Sequence, residues 1–417
     1  MKKLLFVVLA LAAGAAGCDS DSYSPAIRYP VRTDPLVLDK NLADERVDPV
    51  RPGVFPIFAA KDLNDPFNPL HAKRATLFKE KKLRDPNLLS KKDRHDLEVI
   101  LVQLFGTPAR PVVRVDTDIK ETLKLDDESL VEGSALYRVH CLHCHGVPGD
   151  GRGPTSRWVN PHPRDYRQGL FKFMSVDQTT GAKPPRRDDL KRVIHQGVEG
   201  TAMPPFALLR DVDVERLVSY VTHLSVRGKV EFDTIRNAFD YDAEKNTLTL
   251  SAESLDEAVD GYLKLTAKAW ADSQKNDKAI SVAPYPFDDN NLDQIKVSVQ
   301  RGFQLFKGEG SEKLGITKEE AKAANCVSCH KDFGRQAMFK FDDWGTLTKP
   351  RDLTQGVYRG GRRPVDVYYR IHSGIQPSGM TSFGNVLPNP ERIWDLVNFV
   401  KTMPYPAMRK KFDVVLD

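Results

Sequence analysis

At 417 residues the chain is long enough for two or three domains, and its 40% hydrophobic content suffices for ordinary buried cores. A net charge of +5 is too small to indicate a nucleic-acid partner. Of the five cysteines, four fall in two short motifs and the fifth ends the leader, so none is left for a structural disulfide.

Residues 1–18 read as a signal peptide. Lys2 and Lys3 form a positive start, and Leu4 to Ala16 is apolar but too short to span a bilayer. The segment ends Ala15-Ala16-Gly17-Cys18, which resembles a bacterial lipoprotein signal. That resemblance implies lipidation of Cys18 and a protein held on the periplasmic side of the membrane. Asp19 follows, a residue that favours inner-membrane retention in enterobacterial lipoproteins. The plainer alternative is ordinary cleavage and a soluble periplasmic protein. No other segment approaches ~18 consecutive apolar residues, so the expected anchor is lipid and not a helix.

Residues 19–127 form an N-terminal extension. Up to Pro69 it is rich in Pro and Asp, with short apolar pieces such as Val54-Phe55-Pro56-Ile57-Phe58, and reads as a loop-rich tether that wraps a neighbour. Lys73 to Arg94 carries nine Lys/Arg against three Asp/Glu, a solvated face or a docking surface for an acidic partner. Ser90 to Phe105 has helical spacing, with Ser90 as cap and Leu97, Ile100, Leu101, Leu104 and Phe105 on one face; Gly106-Thr107-Pro108 ends it.

In residues 128–227 a helix from Leu130 to His140, with Gly133 and Tyr137 on one face, feeds straight into Cys141-Leu142-His143-Cys144-His145. A turn, a helix over Asp188–Gln196, the segment Gly200-Thr201-Ala202-Met203-Pro204-Pro205-Phe206 and a third helix over Asp213–Ser225 follow. Residues 228–290 read as a helical spacer, with an amphipathic helix over Glu253–Trp270 and a break at Ala283-Pro284-Tyr285-Pro286. Residues 291–417 repeat the earlier parts in order. Gly302-Phe303-Gln304-Leu305-Phe306 corresponds to Gly133–Tyr137, and Cys326-Val327-Ser328-Cys329-His330 is the second motif. Pro350-Arg351-Asp352 corresponds to Pro163-Arg164-Asp165, Met380 to Met203, and the stretch Ile393–Met403 to the third helix.

Both motifs read C-x-x-C-H, the attachment pattern of a c-type haem. Two thiols bond to the two vinyl groups on one porphyrin edge, and the adjacent histidine takes an axial position on iron. A zinc half-site gives no reason for the Cys-His dipeptide to occur twice. The thiols are therefore Cys141 with Cys144 and Cys326 with Cys329, and the proximal ligands His145 and His330.

The residues resemble class I cytochrome c, twice over: a helix with G-x-x-L-aromatic, then CxxCH, a methionine loop and an aromatic-bearing last helix. The resemblance covers roughly 128–227 and 291–408. It implies a mainly α fold of two tandem class I cytochrome c domains, with a loop-rich N-terminal extension and a helical spacer. It also implies that Gly133 and Tyr137 pack against Tyr220, and Gly302 and Phe306 against Trp394 or Phe399. Two covalent haem c groups are expected, with Met203 and Met380 as distal iron ligands. Pro204-Pro205 stiffens the first methionine loop, whereas Met380 is followed by Thr381-Ser382. His195 and His372, in matched positions, are the rival ligands; Met174, Met338, Met403 and Met408 are expected in core or at surface. Arg164 and Arg351 could pair with haem propionates, or be surface turn residues.

The plan is similar to dihaem cytochromes of bacterial respiratory chains. It implies electron transfer from a quinol-oxidising complex or dehydrogenase to an oxidase or soluble cytochrome, with no catalytic residue of its own. A cytochrome subunit of a periplasmic dehydrogenase differs only in partner. The alternative from another class is a dihaem enzyme, peroxidase-type or oxidising a small sulfur compound, which needs one open haem.

Overall fold

The computed structural model describes residues 23–38, 74–344, 347–387 and 389–416; Cys18, the leader and the apolar piece at Val54–Phe58 lie outside the described residues. The fold is mainly α-helical, with four small two-stranded antiparallel sheets among the described residues.

Local signals set the helices. In α1 (Lys91–Phe105) the Ser90 hydroxyl accepts from the Asp93 N–H at 3.0 Å, and the buried face is Leu97, Ile100, Leu101 and Phe105. α2 (Asp127–His140) starts where the Asp126 carboxylate accepts from the Ser129 N–H at 2.8 Å. α3 (Arg187–Gln196) and α4 (Asp211–Asn237) follow, then a hairpin of β1 (Phe239–Asp242) and β2 (Thr247–Leu250), and α5 (Leu255–Ser273). The second half contains α6 (Leu292–Lys307), α7 (Lys318–Ala324), α8 (Pro364–Ser373) and α9 (Glu391–Thr402).

Two helix crossings organise the two halves. A Cβ on Gly133 would collide with the Arg216 carbonyl, so glycine lets α2 lie directly on α4, with Tyr137 and Tyr220 edge to face at 5.2 Å. Likewise a Cβ on Gly302 would collide with the Asp395 carbonyl, and α6 lies on α9 with Phe306 and Phe399 5.2 Å apart. Of the two aromatic partners expected there, Phe399 takes the place. Trp394 instead packs on Tyr285 at 5.1 Å and Tyr368 at 4.7 Å, and its Nε1 donates to the Ala283 carbonyl at 2.8 Å.

Three expectations are corrected. The third helix does not end at Ser225 but continues to Asn237, because Val226, Val230 and Ile235 keep burying one face. The expected spacer is not a free connector. Val259, Leu263, Ala267 and Trp270 of α5 and Leu248 of β2 share one core with Tyr137, Leu217 and Tyr220. The described part of the N-terminal extension, expected to wrap a neighbour, is built into this core. Tyr29, Val31, Leu36, Leu123 and Leu125 belong to it, the Tyr29 and Tyr220 hydroxyls bond at 2.9 Å, and the Arg32 N–H donates to Glu231 Oε1 at 2.6 Å. In the basic run, Arg84 is buried and donates to the Phe78 carbonyl, so that stretch is not uniformly a solvated face.

A second core gathers Val299, Leu305, Phe306, Leu396, Val397 and Phe399, closed by Phe412 and Val414 of the tail. Here the first helix does not feed directly into its motif. Residues 308–325, including α7, intervene, and Asn325 turns the chain at φ 31°. Among the described residues no helix is long and apolar enough to cross a membrane.

Candidate haem centres

Each motif is placed by the helix before it and held by a loop after it. Cys141 caps α2, and Leu142–His145 form one helical turn, so both thiols and the imidazole issue from a single compact piece of chain. The Tyr137 hydroxyl donates to the Gly146 carbonyl at 2.9 Å and ties this turn back to α2. The His145 ring stacks on Tyr166 at 4.8 Å, and its Nδ1 lies 3.1 Å from the Arg164 carbonyl. With Nδ1 as the donor, Nε2 keeps its lone pair for a metal. Burial drives the His145 imidazole down to about 4, so it is neutral at pH 7. Burial also pushes the Cys141 thiol up to about 12, with Cys144 adding to it.

The second motif repeats this. Cys326–Ser328 form a 3-10 turn, and His330 Nδ1 lies 3.3 Å from the Arg351 carbonyl. Burial lowers His330 and raises Cys326 to about 12. Cys141 and Cys326 are partly buried against their cores, whereas Cys329 is exposed.

The methionine loops are folded alike. The Val198 N–H donates to the Met203 carbonyl at 3.1 Å and the Phe206 N–H to the Ile194 carbonyl at 3.1 Å; the Ile375 N–H donates to the Met380 carbonyl at 2.9 Å and the Phe383 N–H to the Ile371 carbonyl at 3.1 Å. Thr201 adds a bond to the first loop, its Oγ1 accepting from the Met203 N–H at 3.1 Å. Met203 packs on the first core and Met380 on the second.

His372 Nδ1 faces Ser373 Oγ at 3.4 Å, and its ring lies against Tyr368 and the backbone at Gly384. His195 is half-buried on α3. Met403 is buried in the second core, Met174 packs on the first, and Met338 and Met408 are exposed. Arg164 and Arg351 are not free surface arginines: the Arg164 guanidinium lies 3.7 Å over the Trp344 ring, and Arg351 Nε is buried. Tyr166 and Trp344 carry no motif; Tyr166 directly follows the Pro163-Arg164-Asp165 triplet, and Trp344 lies shortly before its counterpart Pro350-Arg351-Asp352.

The donor set fits a covalent haem. Paired thiols, an imidazole whose Nδ1 is taken by a carbonyl, and a thioether on a bonded loop are what attachment and six-coordination require. Haem supplies a one-electron iron couple when bound; the chain's own residues orient the imidazole, exclude water and hold the thioether loop.

No curated protein matches the chain. A solved chain of the Kuenenia stuttgartiensis reducing HAO-like protein complex is similar at 23% identity over 65% of this chain and 95% of that one, with a TM-score of 0.44. Residues 128–221 match the family model described as cytochrome c oxidase, cbb3-type, subunit III. With its motif, its methionine loop and its helix crossing in place, residues 128–221 are a cytochrome c domain, a module that implies covalently bound haem c.

Proposed function

We propose that the chain is a dihaem c-type cytochrome that carries electrons in a periplasmic respiratory chain, between a quinol-oxidising complex or dehydrogenase and an oxidase or soluble cytochrome. Cys141 and Cys144 hold one haem c, with His145 and Met203 on its iron. Cys326 and Cys329 hold the other, with His330 and Met380. Cys18 carries lipid and tethers the protein to the periplasmic face of the inner membrane.

One observation carries the dihaem reading. The histidine-to-carbonyl contact and both methionine-loop hydrogen bonds recur in the second half between corresponding residues. His/Met ligation raises the reduction potential relative to two histidines and leaves no open coordination position, which favours electron transfer over chemistry on a substrate.

An optical redox titration of the haem-loaded protein, with carbon monoxide added after reduction, tests this reading. Two low-spin haems with positive midpoint potentials and no carbon monoxide adduct are expected. A high-spin haem that binds carbon monoxide would remove Met380 as a ligand first and make a dihaem enzyme the better description. For the anchor, Cys18→Ala is expected to move the protein from the membrane fraction to the soluble periplasm; unchanged membrane association would exclude lipid at Cys18.

A further inference from the structure

Where the two halves meet, four cations gather, and among the described residues Asp342 and Asp165 are the carboxylates beside Arg164. Arg164 and Lys172 come from the first half, Arg351 and Arg359 from the second. Lys172 pairs with Asp342 at 3.1 Å. Trp344, under the Arg164 guanidinium, donates from Nε1 to the Asp165 carbonyl at 3.0 Å. Asp165 itself is taken by Arg167 at 2.8 Å. From the other side, a Cβ on Gly200, in the Met203 loop, would stand 3.7 Å from the Arg351 guanidinium, and Glu199 bonds Arg362 Nε at 2.7 Å.

The four charges feel one another. Burial, then Arg351, then Arg164 bring Arg359 down to about 10, and burial, then Arg164 bring Lys172 down to about 8, with Arg359 adding to it. Among the described residues, the buried Nε atoms of Arg351 and Arg359 have no acceptor. Buried donors without acceptors on crowded cations call for an anion from outside the polypeptide.

The backbone says which anion. The carbonyls of Arg164 and Arg351 are the ones that face His145 and His330. The residues that orient the two imidazoles thus also send their side chains into the seam between the halves, so the seam borders both candidate haem sites. We infer that Arg164, Lys172, Arg351 and Arg359 form one carboxylate-binding seam that receives propionates from both haems, with Arg351 and Arg359 donating through Nε. Lys172, paired with Asp342, is a positioning residue here, and the site is complete only when both halves are loaded. This rests on the dihaem reading.

A shared seam makes one charge count for two irons. A cation beside a haem favours the reduced state, so its loss lowers the potential. The test is a spectroelectrochemical titration of Arg359→Gln and Arg359→Lys in the full, haem-loaded chain, with haem per chain counted by the pyridine haemochrome. The expected result is two haems, unchanged low-spin spectra, both midpoint potentials lowered in Arg359→Gln, and both restored in Arg359→Lys. Should Arg359→Gln fail to load, Lys172→Gln on the other half carries the same expectation. If only one potential moves, the seam is not shared. If neither moves while the melting temperature falls, the cluster serves packing alone. A count of one haem per chain overturns the dihaem reading, and the shared site with it.

Discussion

Tyr137 and Phe306 occupy corresponding places beneath corresponding crossings, but they live in different surroundings. The first half is sheathed: the segment containing Tyr29 and Val31, α1, the far end of α4 and all of α5 pack into its core. The second half has a thinner cover: α7, the segment containing Ile280 and Tyr285, and a short tail with Phe412 and Val414. The two halves therefore draw their stability from different sources. The first relies on more added chain, and the second more on its own helix crossing.

The sharpest way to break this contrast is at Asp34, which bonds Arg167 at 3.0 Å and lies with it inside the sheath. Burial alone would raise Asp34, but Arg167, then Arg32 and Arg152, hold it well below the usual carboxylate range. Its stabilisation is therefore fully present above the unfolded pKa of about 3.9 and lost as pH falls through the folded value. Asp34→Ala strands buried cations and is expected to cost about 3–5 kcal/mol, seen by calorimetry as a lowered first-half transition with the second unchanged. Trp270→Ala, far along α5 and fully buried, is expected to cost about 3–5 kcal/mol in the same transition. A drop in the second transition instead would mean that α5 is not part of the first core.

Asp395 supplies the opposite sign. Burial pushes it up to about 6, although Ser298 Oγ donates to it at 2.8 Å. A carboxyl raised on folding contributes most below the unfolded pKa of about 3.9, and that contribution is lost as pH rises toward 6. The second half is thus expected to gain on the order of 2–3 kcal/mol between pH 6 and 4, while Asp34 still supports the first. Asp395→Asn should flatten that slope; an unchanged slope would assign it to another group. The smallest effect belongs to the sheath. Ser90→Ala removes the α1 cap and should cost about 1 kcal/mol, again in the first transition only.

The parts that were legible in the sequence are those whose chemistry depends on spacing along the chain. The C-x-x-C-H motifs, the methionines after α3 and α8, and the Ser90 cap all declare themselves within a few residues. The end of the third helix did not. Arg227-Gly228 looks like a helix stop. In the fold, Arg227 instead pairs with Glu231 at 3.0 Å inside the core, and Gly228 is needed because a Cβ there would collide with Arg167. The placement of the spacer depends on which partner Trp270 finds, and its amphipathic pattern fits a free helix equally well. The seam was hidden for the same reason. Arg164 and Trp344 meet only because two distant segments fold together, and no local pattern records that.

The Tyr29–Tyr220 and Arg32–Glu231 bonds also bear on how the molecule is made. Tyr29 and Arg32, in the earliest part of the described chain, bond to a helix about 200 residues further on. Closing so large a loop is slow, because its entropy is lost before any contact repays it. The first half therefore cannot complete its core during synthesis until α4 has emerged. The Cys141–His145 segment, produced before α4, spends this interval without the helix on which α2 comes to lie.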